Sequence, residues 1–279
     1  MTHVQRETIR VGTFNVLGLT GFRAADAAKT IGPHGSESWV DAWAEILARL
    51  NCDLLGLQEG VDHADAVRIA RRAGWFLATI PSPLRWSGHV LSRSPILETR
   101  VFSHAAPVTT DHDPFSRCLG ATLVDVDGGG RPWWFVDLHT CPSRPEIPEE
   151  EARRRRALEA EALEPVVDVL EASGHPLVVG GDFNSDVEEP IHERLRTRGY
   201  VNAMDAAGGG RRPTFGKHGT RPDHIYVLDH LYVGPPLAER LRVARVVDDA
   251  GFWYPGPEQA GRWVASDHLP VVAELAGRS

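Results

Sequence analysis

The chain has 279 residues, of which 42 % are apolar and 24 % charged, a composition typical of an ordinary globular protein. We expect no membrane span, because no apolar run approaches the roughly 20 residues that a transmembrane helix needs. The formal net charge of −8 argues against a protein that grips a nucleic-acid backbone, since such proteins usually carry a basic face.

The first residues and the cysteines bear on the cellular compartment. The polar start Met1–Glu7 has no apolar stretch of the kind found in secretory signals, so we expect a cytoplasmic protein. Cys52, Cys118 and Cys141 are widely spaced and odd in number, which predicts reduced thiols rather than a disulfide framework or a zinc cluster. Since no linker or repeat divides the chain, we expect a single domain over residues 1–279, acting as a monomer.

The first part of the chain alternates predicted strands with predicted helices. The run "RVGTFNVLG" is the first predicted strand, and a loop over Gly18–Glu37 follows it. In "SESWVDAWAEILARLN" the apolar residues recur at helical spacing, and Ser38 and Asp41 have the spacing of a capping box. The apolar stripe of this helix comprises Trp39, Trp43, Ile46, Leu47 and Leu50. The strand "CDLLGLQE" and the helix "GVDHADAVRIARRAG" come next.

The rest of the chain is dominated by strands. The runs "GHVLSRSPI", "LGATLVDV" and "RPWWFVDLHT" precede a helix predicted from Glu149 to about Pro165. After it come "PLVVGGDFN", "HIYVLDHLYVG", "LRVARVVDD" and "HLPVVAEL". Because strands outnumber helices, we expect two packed sheets flanked by a few helices. The run Arg153–Arg156 has acids on both sides, which predicts a solvated helix surface rather than a nucleic-acid patch. Basic residues converging from distant loops stay an alternative.

Polar side chains recur where the predicted strands end. In "PLVVGGDFNS" a buried strand ends in Asp182 and Asn184, whose i, i+2 spacing places them on one face of extended chain. Other strands end the same way, and Asp267 and His268 stand before the last one. If that strand is antiparallel to the others, six groups meet at one sheet edge, as in a site built on a rigid scaffold: Asn15, Glu59, His139, Asp182, Asp267 and His268.

Each of these residues alone has a simpler interpretation. Glu59 fits a solvated loop acid, Asn15 a turn former, and His139 a core histidine with satisfied hydrogen bonds. Asp182 with Asn184 fits an Asx-turn without any chemistry. Several acids converging in a half-buried place cost free energy unless they are paired or hold a metal, so the combination favours a functional site.

Six motifs in order resemble the endonuclease/exonuclease/phosphatase superfamily, which includes the pancreatic-type deoxyribonucleases. They are "TFNVL", "DLLGLQE", "VLSRSPI", "VDLHT", "VGGDFNS" and "SDHLPVV", and the resemblance runs from about residue 9 to residue 276. It implies an α/β fold of the DNase I-like type, a four-layer α/β/β/α sandwich with two facing mixed sheets. It also implies phosphoryl chemistry, in which water attacks phosphorus in line and charge on the oxygens is neutralised.

The resemblance also implies roles for individual residues. Glu59 would be the principal Mg²⁺ ligand, with Asn15 beside it and Asp267 near the metal, and Mn²⁺ is the expected substitute. Asp182 would orient or deprotonate the attacking water. Asn184 would hold that water or a phosphoryl oxygen.

Two histidines complete the implied set. His268 would stabilise or protonate charge at the phosphorus, and His139 would donate to the phosphate or the leaving group. The family places an acid that orients the first histidine, and we assign it to Asp229 rather than Asp223, because Pro222 marks Asp223 as a turn. Asp137 stands where the family often has Asn, which puts an extra acid near the expected metal site.

The net charge favours a small phosphoester substrate, whether monoester or diester, over nucleic acid. A nuclease of the same fold is the main alternative, and a binding module without catalysis is a weaker one. The absence of HExxH or close His/Cys spacing speaks against a zinc hydrolase. Substrate choice is expected to depend on the loops Gly18–Glu37, Pro81–Gly88, Ser103–Arg117 and Val247–Ala265. Their aromatic residues either line a pocket or anchor the loops: Trp86, Phe115, Trp253, Tyr254 and Trp263.

Overall fold

The computed structural model describes residues 7–82, 86–103, 117–126, 128–216, 225–249, 251–252 and 263–277. These residues form strands β1 (Thr8–Asn15), β2 (Leu54–Gln58), β3 (Phe76–Ile80), β4 (Gly88–Ser92), β5 (Ile96–Val101), β6 (Cys118–Val124), β7 (Trp133–His139), β8 (Leu177–Asp182), β9 (Val201–Asn202), β10 (Phe215–Gly216), β11 (Ile225–Tyr226), β12 (Asp229–Val233), β13 (Leu241–Val246) and β14 (Val271–Ala276). The helices are α1 (Ala24–Ile31), α2 (Glu37–Arg49), α3 (His63–Ala73), α4 (Glu149–Glu171), α5 (Pro190–Thr197), α6 (Ala203–Ala207) and α7 (Pro235–Ala238), with a 3₁₀ turn at Leu17–Leu19.

Two six-stranded sheets form the centre of the molecule. The first has the order β13-β14-β1-β2-β4-β3 and the second the order β5-β6-β7-β8-β12-β9. Strands β1 and β2 are parallel, as are β7 and β8, whereas β14 runs antiparallel to β1 and β12 antiparallel to β8. Both sheets are therefore mixed. The last strand has the orientation that brings the residues before it to the edge where β1 ends.

The two sheets face each other, and helices cover their outer faces. Alternate residues of β7 point to opposite sides, as the strand period requires. Phe135 packs in the layer between the sheets, whereas Trp134 and Leu138 pack with α4 on the outside. Helices α2 and α3 contribute to the core on the outer side of the first sheet. The result is the four-layer α/β/β/α sandwich that the family resemblance implies, and the fold class is confirmed.

The two sheets approach each other closely at a glycine, which has no side chain. At Gly56, an added Cβ would lie 2.6 Å from Cε1 of Phe135 and 2.7 Å from Oδ1 of Asp137. Neither neighbour can move away in a packed core without a cost in free energy. Glycine at this position therefore lets β2 approach β7.

Helix α2 confirms the predicted stripe but not the predicted cap. The five stripe residues Trp39, Trp43, Ile46, Leu47 and Leu50 are all buried. The N-cap is Ser36, whose side chain accepts a hydrogen bond from the backbone N–H of Trp39, so the capping box at Ser38 and Asp41 was wrong. The helix begins two residues earlier than that box predicts, and the Ser36 side chain satisfies one of the free N–H groups of its first turn.

Two other boundaries differ from the prediction. Helix α4 continues past Pro165 to Glu171, because Val166, Val167 and Leu170 of its last turns are buried against the second sheet. Their apolar burial outweighs the one hydrogen bond that proline cannot make. The loop expected over Gly18–Glu37 contains helix α1, which buries Ala27 and Ile31 one turn apart.

Candidate active site

The ends of β1, β7 and β8 and the start of β12 meet at one edge of the sandwich. Within the second sheet, Asp182 is paired with His139 on one side and Asp229 on the other. Between the sheets, the side-chain Nδ2 of Asn15 donates a hydrogen bond of 2.9 Å to Oδ2 of Asp182. The two sheets are thus joined by a polar contact between strand ends.

Asp182 lies at the centre of this arrangement. Its Oδ1 accepts a 2.9 Å hydrogen bond from the backbone N–H of Asn184, which is the contact of an Asx-turn. Its Oδ2 lies 3.4 Å from Nε2 of His139 and 3.8 Å from Nε2 of His268. The turn and the cluster exist together, because one carboxylate oxygen serves each.

His268 is held by Asp229. Its Nδ1 lies 2.8 Å from Oδ2 of Asp229, and both residues are buried. Burial acts to lower the pKa of His268, but the charges of Asp229, Asp182 and Asp267 outweigh it and raise the pKa to about 10. His268 is therefore a cation at neutral pH. Asp223, the alternative partner, lies outside the described residues.

His139 is fully buried, and neither ring nitrogen has a hydrogen-bond partner within the described part of the chain. Its Nε2 lies 3.8 Å from Oε1 of Glu59 and, as noted, close to Asp182. Burial lowers the pKa of His139 to about 4, so the ring is neutral at neutral pH. A core histidine with satisfied hydrogen bonds does not fit this environment.

Glu59 follows β2 in a left-handed backbone conformation, with φ at 50°. This backbone conformation is rare for residues other than glycine, asparagine and aspartate, and it commonly marks functional positions. Burial raises the pKa of Glu59 to about 7, and the nearby carboxylates of Asp182 and Asp267 act in the same direction. A solvated loop acid would not show this shift.

The donor atoms around Glu59 fit a divalent metal ion. Glu59, Asp267 and the side-chain oxygen of Asn15 are hard oxygen donors of the kind that Mg²⁺ prefers. The like charges that raise the pKa of Glu59 would be relieved by a bound cation. Asp182, Asp229 and His268 also offer atoms within 4.8 Å of one another. In that group Nδ1 of His268 already bonds Asp229, so it is better suited to hold a proton than Mg²⁺.

A cavity of about 730 Å³ opens over these residues. Besides the predicted site residues, its wall includes Phe215 and Tyr226, two aromatic residues that sequence reasoning missed. Phe215 forms a bridge with His268, and their ring centroids lie 4.7 Å apart. The strand-like run around Tyr226 offered a signal, but the antiparallel pairing of β10 with β11, which brings both rings together, was not foreseen.

The loop aromatics that the sequence put forward do not line this cavity where they are described. Trp263 is partly buried against the core and lies with its ring centroid 6.3 Å from that of Trp43, so it anchors its loop. Trp86 is 39 % exposed and stands beside Gly18. The other three, Phe115, Trp253 and Tyr254, lie outside the described residues.

The extra acid, Asp137, lies between the sheets. Its Oδ1 accepts a 2.5 Å hydrogen bond from Nε2 of Gln58, the residue before Glu59, whereas Oδ2 has no hydrogen-bond partner in the described structure. Burial raises the pKa of Asp137 well above its usual value, which favours the protonated carboxyl. Asp137 thus supports the end of β2, directly before Glu59.

The arginine run behaves differently from the sequence expectation at one position. Arg153 and Arg154 are exposed and Arg155 is partly buried, and all three pair with Glu149 or Glu151. Arg156 is only 2 % exposed, so its assignment to a solvated surface was wrong. A signal existed: the apolar stripe of α4 recurs every three to four residues and includes position 156. The stripe comprises Ala152, Ala160, Leu163, Val167 and Leu170.

Two facing mixed sheets between helices, with acids and histidines gathered at the strand ends, define a DNase I-like fold. Residues 12–268 match the Endonuclease/Exonuclease/phosphatase family. The chain therefore belongs to that family, whose members are generally hydrolases that act on phosphoesters. None of the curated proteins has a significant sequence match to this chain.

Several solved structures resemble the molecule along nearly its whole length. Truncated TDP2 from Caenorhabditis elegans has a TM-score of 0.68 at 19 % identity, over 96 % of this chain and 97 % of that one. A conserved protein of unknown function from Enterococcus faecalis V583 has a TM-score of 0.70 at 16 % identity, over 97 % and 100 %. TDP2 from D. rerio, complexed with a single-strand DNA product, has a TM-score of 0.65 at 16 % identity, over 96 % and 99 %. At these identities the likeness shows the fold alone.

Among the residues described, no helix combines the length and the apolar character that crossing a membrane requires. Cys52, Cys118 and Cys141 are buried, and none of them is in a disulfide.

Proposed function

We propose that this chain hydrolyses a small phosphoester with a divalent cation, Mg²⁺ or in its place Mn²⁺. The observation that carries the proposal is the row of three side chains Asp229, His268 and Asp182. The first two are joined at 2.8 Å, and the third lies 3.8 Å from the other ring nitrogen. Such a row places a charged imidazole and a carboxylate on the two sides of one small space, as phosphoester hydrolysis by water requires.

The proposed roles follow from the atoms that each side chain presents. Asp182 orients the attacking water and accepts its proton, and Asn184 holds that water or a phosphoryl oxygen. His268, kept protonated by Asp229, stabilises charge on the phosphoryl group or protonates the leaving oxygen. His139, with both ring nitrogens unpaired, donates to a phosphate oxygen.

Glu59, Asn15 and Asp267 are the proposed holders of the cation. When bound, a divalent cation supplies positive charge that polarises a phosphoryl oxygen and offsets the charge that develops on it. Without such a charge, the carboxylates of Glu59, Asp267 and Asp182 would face the negative phosphate of the substrate. Because the oxygen donors lie beside Asp182, the cation and the attacking water would act on the same phosphorus.

The shape and charge of the cavity support a small substrate. A volume of about 730 Å³ is within the range of small-molecule sites. Its wall carries Glu149 and Glu189, which pair with the two arginines that reach it, Arg153 and Arg156. Acids at the mouth that are outside these pairs, such as Asp186 and Glu188, would repel a long polyanion.

A nuclease activity is the second candidate. It is favoured by the structural likeness to D. rerio TDP2, which was solved with a single-strand DNA product. The aromatic rings of Phe215 and Tyr226 would then serve as a surface for bases. The charge of the cavity mouth favours the small substrate over this alternative.

The three buried cysteines, none of which is in a disulfide, support a reducing compartment, of which the cytoplasm is the first choice.

The test is a panel of phosphoesters assayed with Mg²⁺, with Mn²⁺ and with chelator. The panel contains 4-nitrophenyl phosphate, bis(4-nitrophenyl) phosphate, glycerophosphodiesters and nucleotides, and turnover is read as nitrophenolate or released alcohol and phosphate. The Asn184→Ala variant, purified identically, measures the contaminating activity. Cation-dependent turnover above that variant on any ester is expected. Equal rates for both proteins on every ester would refute the proposal.

A further inference from the structure

Arg156 is a buried cation that the proposed chemistry does not use. Its five N–H groups all have acceptors within 3.4 Å. Nε and Nη2 form a two-pronged pair with Glu189, at 2.7 Å and 2.6 Å. Nη1 donates to the backbone oxygen of Cys141 at 3.0 Å and to Oγ of Ser143 at 3.4 Å. The remaining bond runs to Glu149 at 3.1 Å.

Apart from Glu149, which begins α4 itself, these acceptors lie on two loops beside the candidate active site. Cys141 and Ser143 follow β7, just after His139. Glu189 ends the loop that begins with Asp182 and is the N-cap residue of α5. One guanidinium therefore joins the ends of both loops to helix α4. Arginine suits this task because its planar fork has donors in fixed directions, which a lysine ammonium lacks.

Helix α4 holds Cys141 from two sides. Besides accepting from Arg156, Cys141 donates its backbone N–H to Oε2 of Glu159 at 2.9 Å. Glu159 is fully buried and stands one turn after Arg156 on the same helix. Because both backbone groups of Cys141 are bonded to the helix, this residue has little freedom to shift.

Thr140, the neighbour of Cys141 in the chain, connects it to Asn184. Thr140 donates its backbone N–H to the carbonyl oxygen of Asp182 at 3.1 Å. The carbonyl oxygen of Thr140 accepts a 3.2 Å hydrogen bond from Nδ2 of Asn184. Asn184 itself has a left-handed backbone, with φ at 47°, and its side chain depends on this contact for its direction.

A buried ion pair is a costly way to stabilise a fold. The desolvation of both charges often cancels their attraction, and apolar residues of similar size frequently serve at least as well. The use best supported for such pairs is to specify one geometry. In this molecule, the geometry in question is that of the two loops beside the candidate site.

We propose that Arg156 is a positioning residue of the candidate active site, which holds Asn184 in its productive place through Cys141 and Thr140. This inference rests on the proposed phosphoester hydrolysis. Arg156 acts on the placement of the amide and not on the substrate. Its loss therefore lowers kcat and leaves KM nearly unchanged.

The test compares Arg156→Gln and Arg156→Lys with Arg154→Gln, whose arginine is exposed and pairs with Glu151. The probe is bis(4-nitrophenyl) phosphate with saturating Mg²⁺. A misplacement of about 1 Å costs up to about 100-fold in rate, so kcat is expected to fall about 10- to 100-fold in Arg156→Gln. Arg156→Lys recovers part of this loss, since it keeps the charge but not the fork. Arg154→Gln behaves as wild type.

Coupling to Asn184 separates positioning from a general loss of structure. The double variant Arg156→Gln/Asn184→Ala is expected to be no worse than Asn184→Ala alone, because both changes remove the same interaction. Additive losses, or a fall in kcat/KM that comes from KM alone, would overturn the proposal. If Arg156→Gln does not fold because Glu189 is left unpaired, Arg156→Gln/Glu189→Gln removes both charges and takes its place.

Hydrogen–deuterium exchange gives a second measurement that does not depend on catalysis. Faster exchange of the backbone amides in residues 140–143 and 183–189 is expected in Arg156→Gln and not in Arg154→Gln. Unchanged exchange would overturn the positioning role even in an active enzyme. A wild-type protein without turnover on any ester, but with this local change in exchange, would instead refute the proposed function alone.

Discussion

Nδ1 of His268 lies 2.8 Å from Oδ2 of Asp229, which pairs a buried imidazole with a buried carboxylate at the start of β12. The carboxylate fixes the proton on Nδ1 and so directs Nε2 toward Asp182. Asp229 begins β12 of the second sheet, whereas His268 lies three residues before β14 of the first sheet. Its geometry therefore depends on the packing of the two sheets.

The pair is expected to act as one unit. Asp229→Asn and His268→Ala should each lower kcat by about 10²- to 10⁴-fold, the usual size of general acid–base effects. The double variant should be hardly worse than the more severe single one, because either change removes the charged imidazole from its place. Rates of the three variants on one ester provide the measurement. Fully additive losses would show that the two residues act independently, and would return Asp223 to consideration.

Glu59→Gln is expected to lose most activity at limiting Mg²⁺ while the protein stays folded. The amide removes one charged oxygen donor, which raises the dissociation constant of the metal, so excess Mg²⁺ or Mn²⁺ should restore part of the rate. Activity is measured against cation concentration, and Mn²⁺ binding by calorimetry. Glu45→Gln makes the same chemical change on the exposed face of α2, outside the cavity wall, and should leave both curves unchanged. Wild-type turnover of Glu59→Gln at limiting metal would exclude Glu59 from the site.

The response to salt should separate a small-substrate enzyme from a nuclease. Binding that neutralises many phosphates weakens steeply as salt rises, whereas contact with one or two phosphates gives a shallow dependence. Given the net charge of −8 and the acidic cavity mouth, we expect faster turnover of small esters than of plasmid DNA. Rates on both are compared at two salt concentrations with Mg²⁺ held saturating. Rapid nicking of the plasmid that collapses at the higher salt would favour the nuclease.

Asp137→Asn is expected to make the protein more stable at neutral pH. Burial raises the pKa of this carboxyl in the folded state, so the folded protein binds more protons than the unfolded chain above the ordinary aspartate pKa. The contribution of this carboxyl to the free energy of unfolding is therefore fully present below the unfolded pKa of about 3.9. It is lost as the pH rises toward the higher pKa of the folded state. Asparagine has the same shape without the proton, and it should raise the free energy of unfolding at pH 7 but not near pH 4.

Urea unfolding of wild type and variant at the two pH values measures this difference. The matched control is Asp168→Asn, which neutralises an exposed carboxylate that pairs with Arg198 and should give no gain at pH 7. A loss of stability in Asp137→Asn at pH 7 would show that the carboxyl is ionised in the folded protein.

Much of the candidate site was accessible from the sequence because strand ends are local features. Each of Asn15, Glu59, His139 and Asp182 ends an apolar run, and the ends of parallel strands lie at the same sheet edge. The antiparallel last strand was an assumption that the structure bears out, and it brings His268 to that edge. The choice of Asp229 also rested on local signals, namely its apolar flanks and the proline before Asp223.

The sequence by itself determined which residue types stand at the strand ends and in what order. Hydrophobic periodicity and turn preference depend only on residues that are neighbours in the chain. Only the tertiary structure decided which distant groups touch. In the sequence, Arg156 is indistinguishable from the three arginines before it. In the structure, α4 packs on the second sheet, and of the four only Arg156 is buried, where it pairs with Glu189. Phe215 likewise lies beside His268 because the backbones of these two distant residues form an isolated β-bridge. Burial, and with it every shifted pKa in the site, arises from contacts between segments far apart in the chain, and no local pattern contains them.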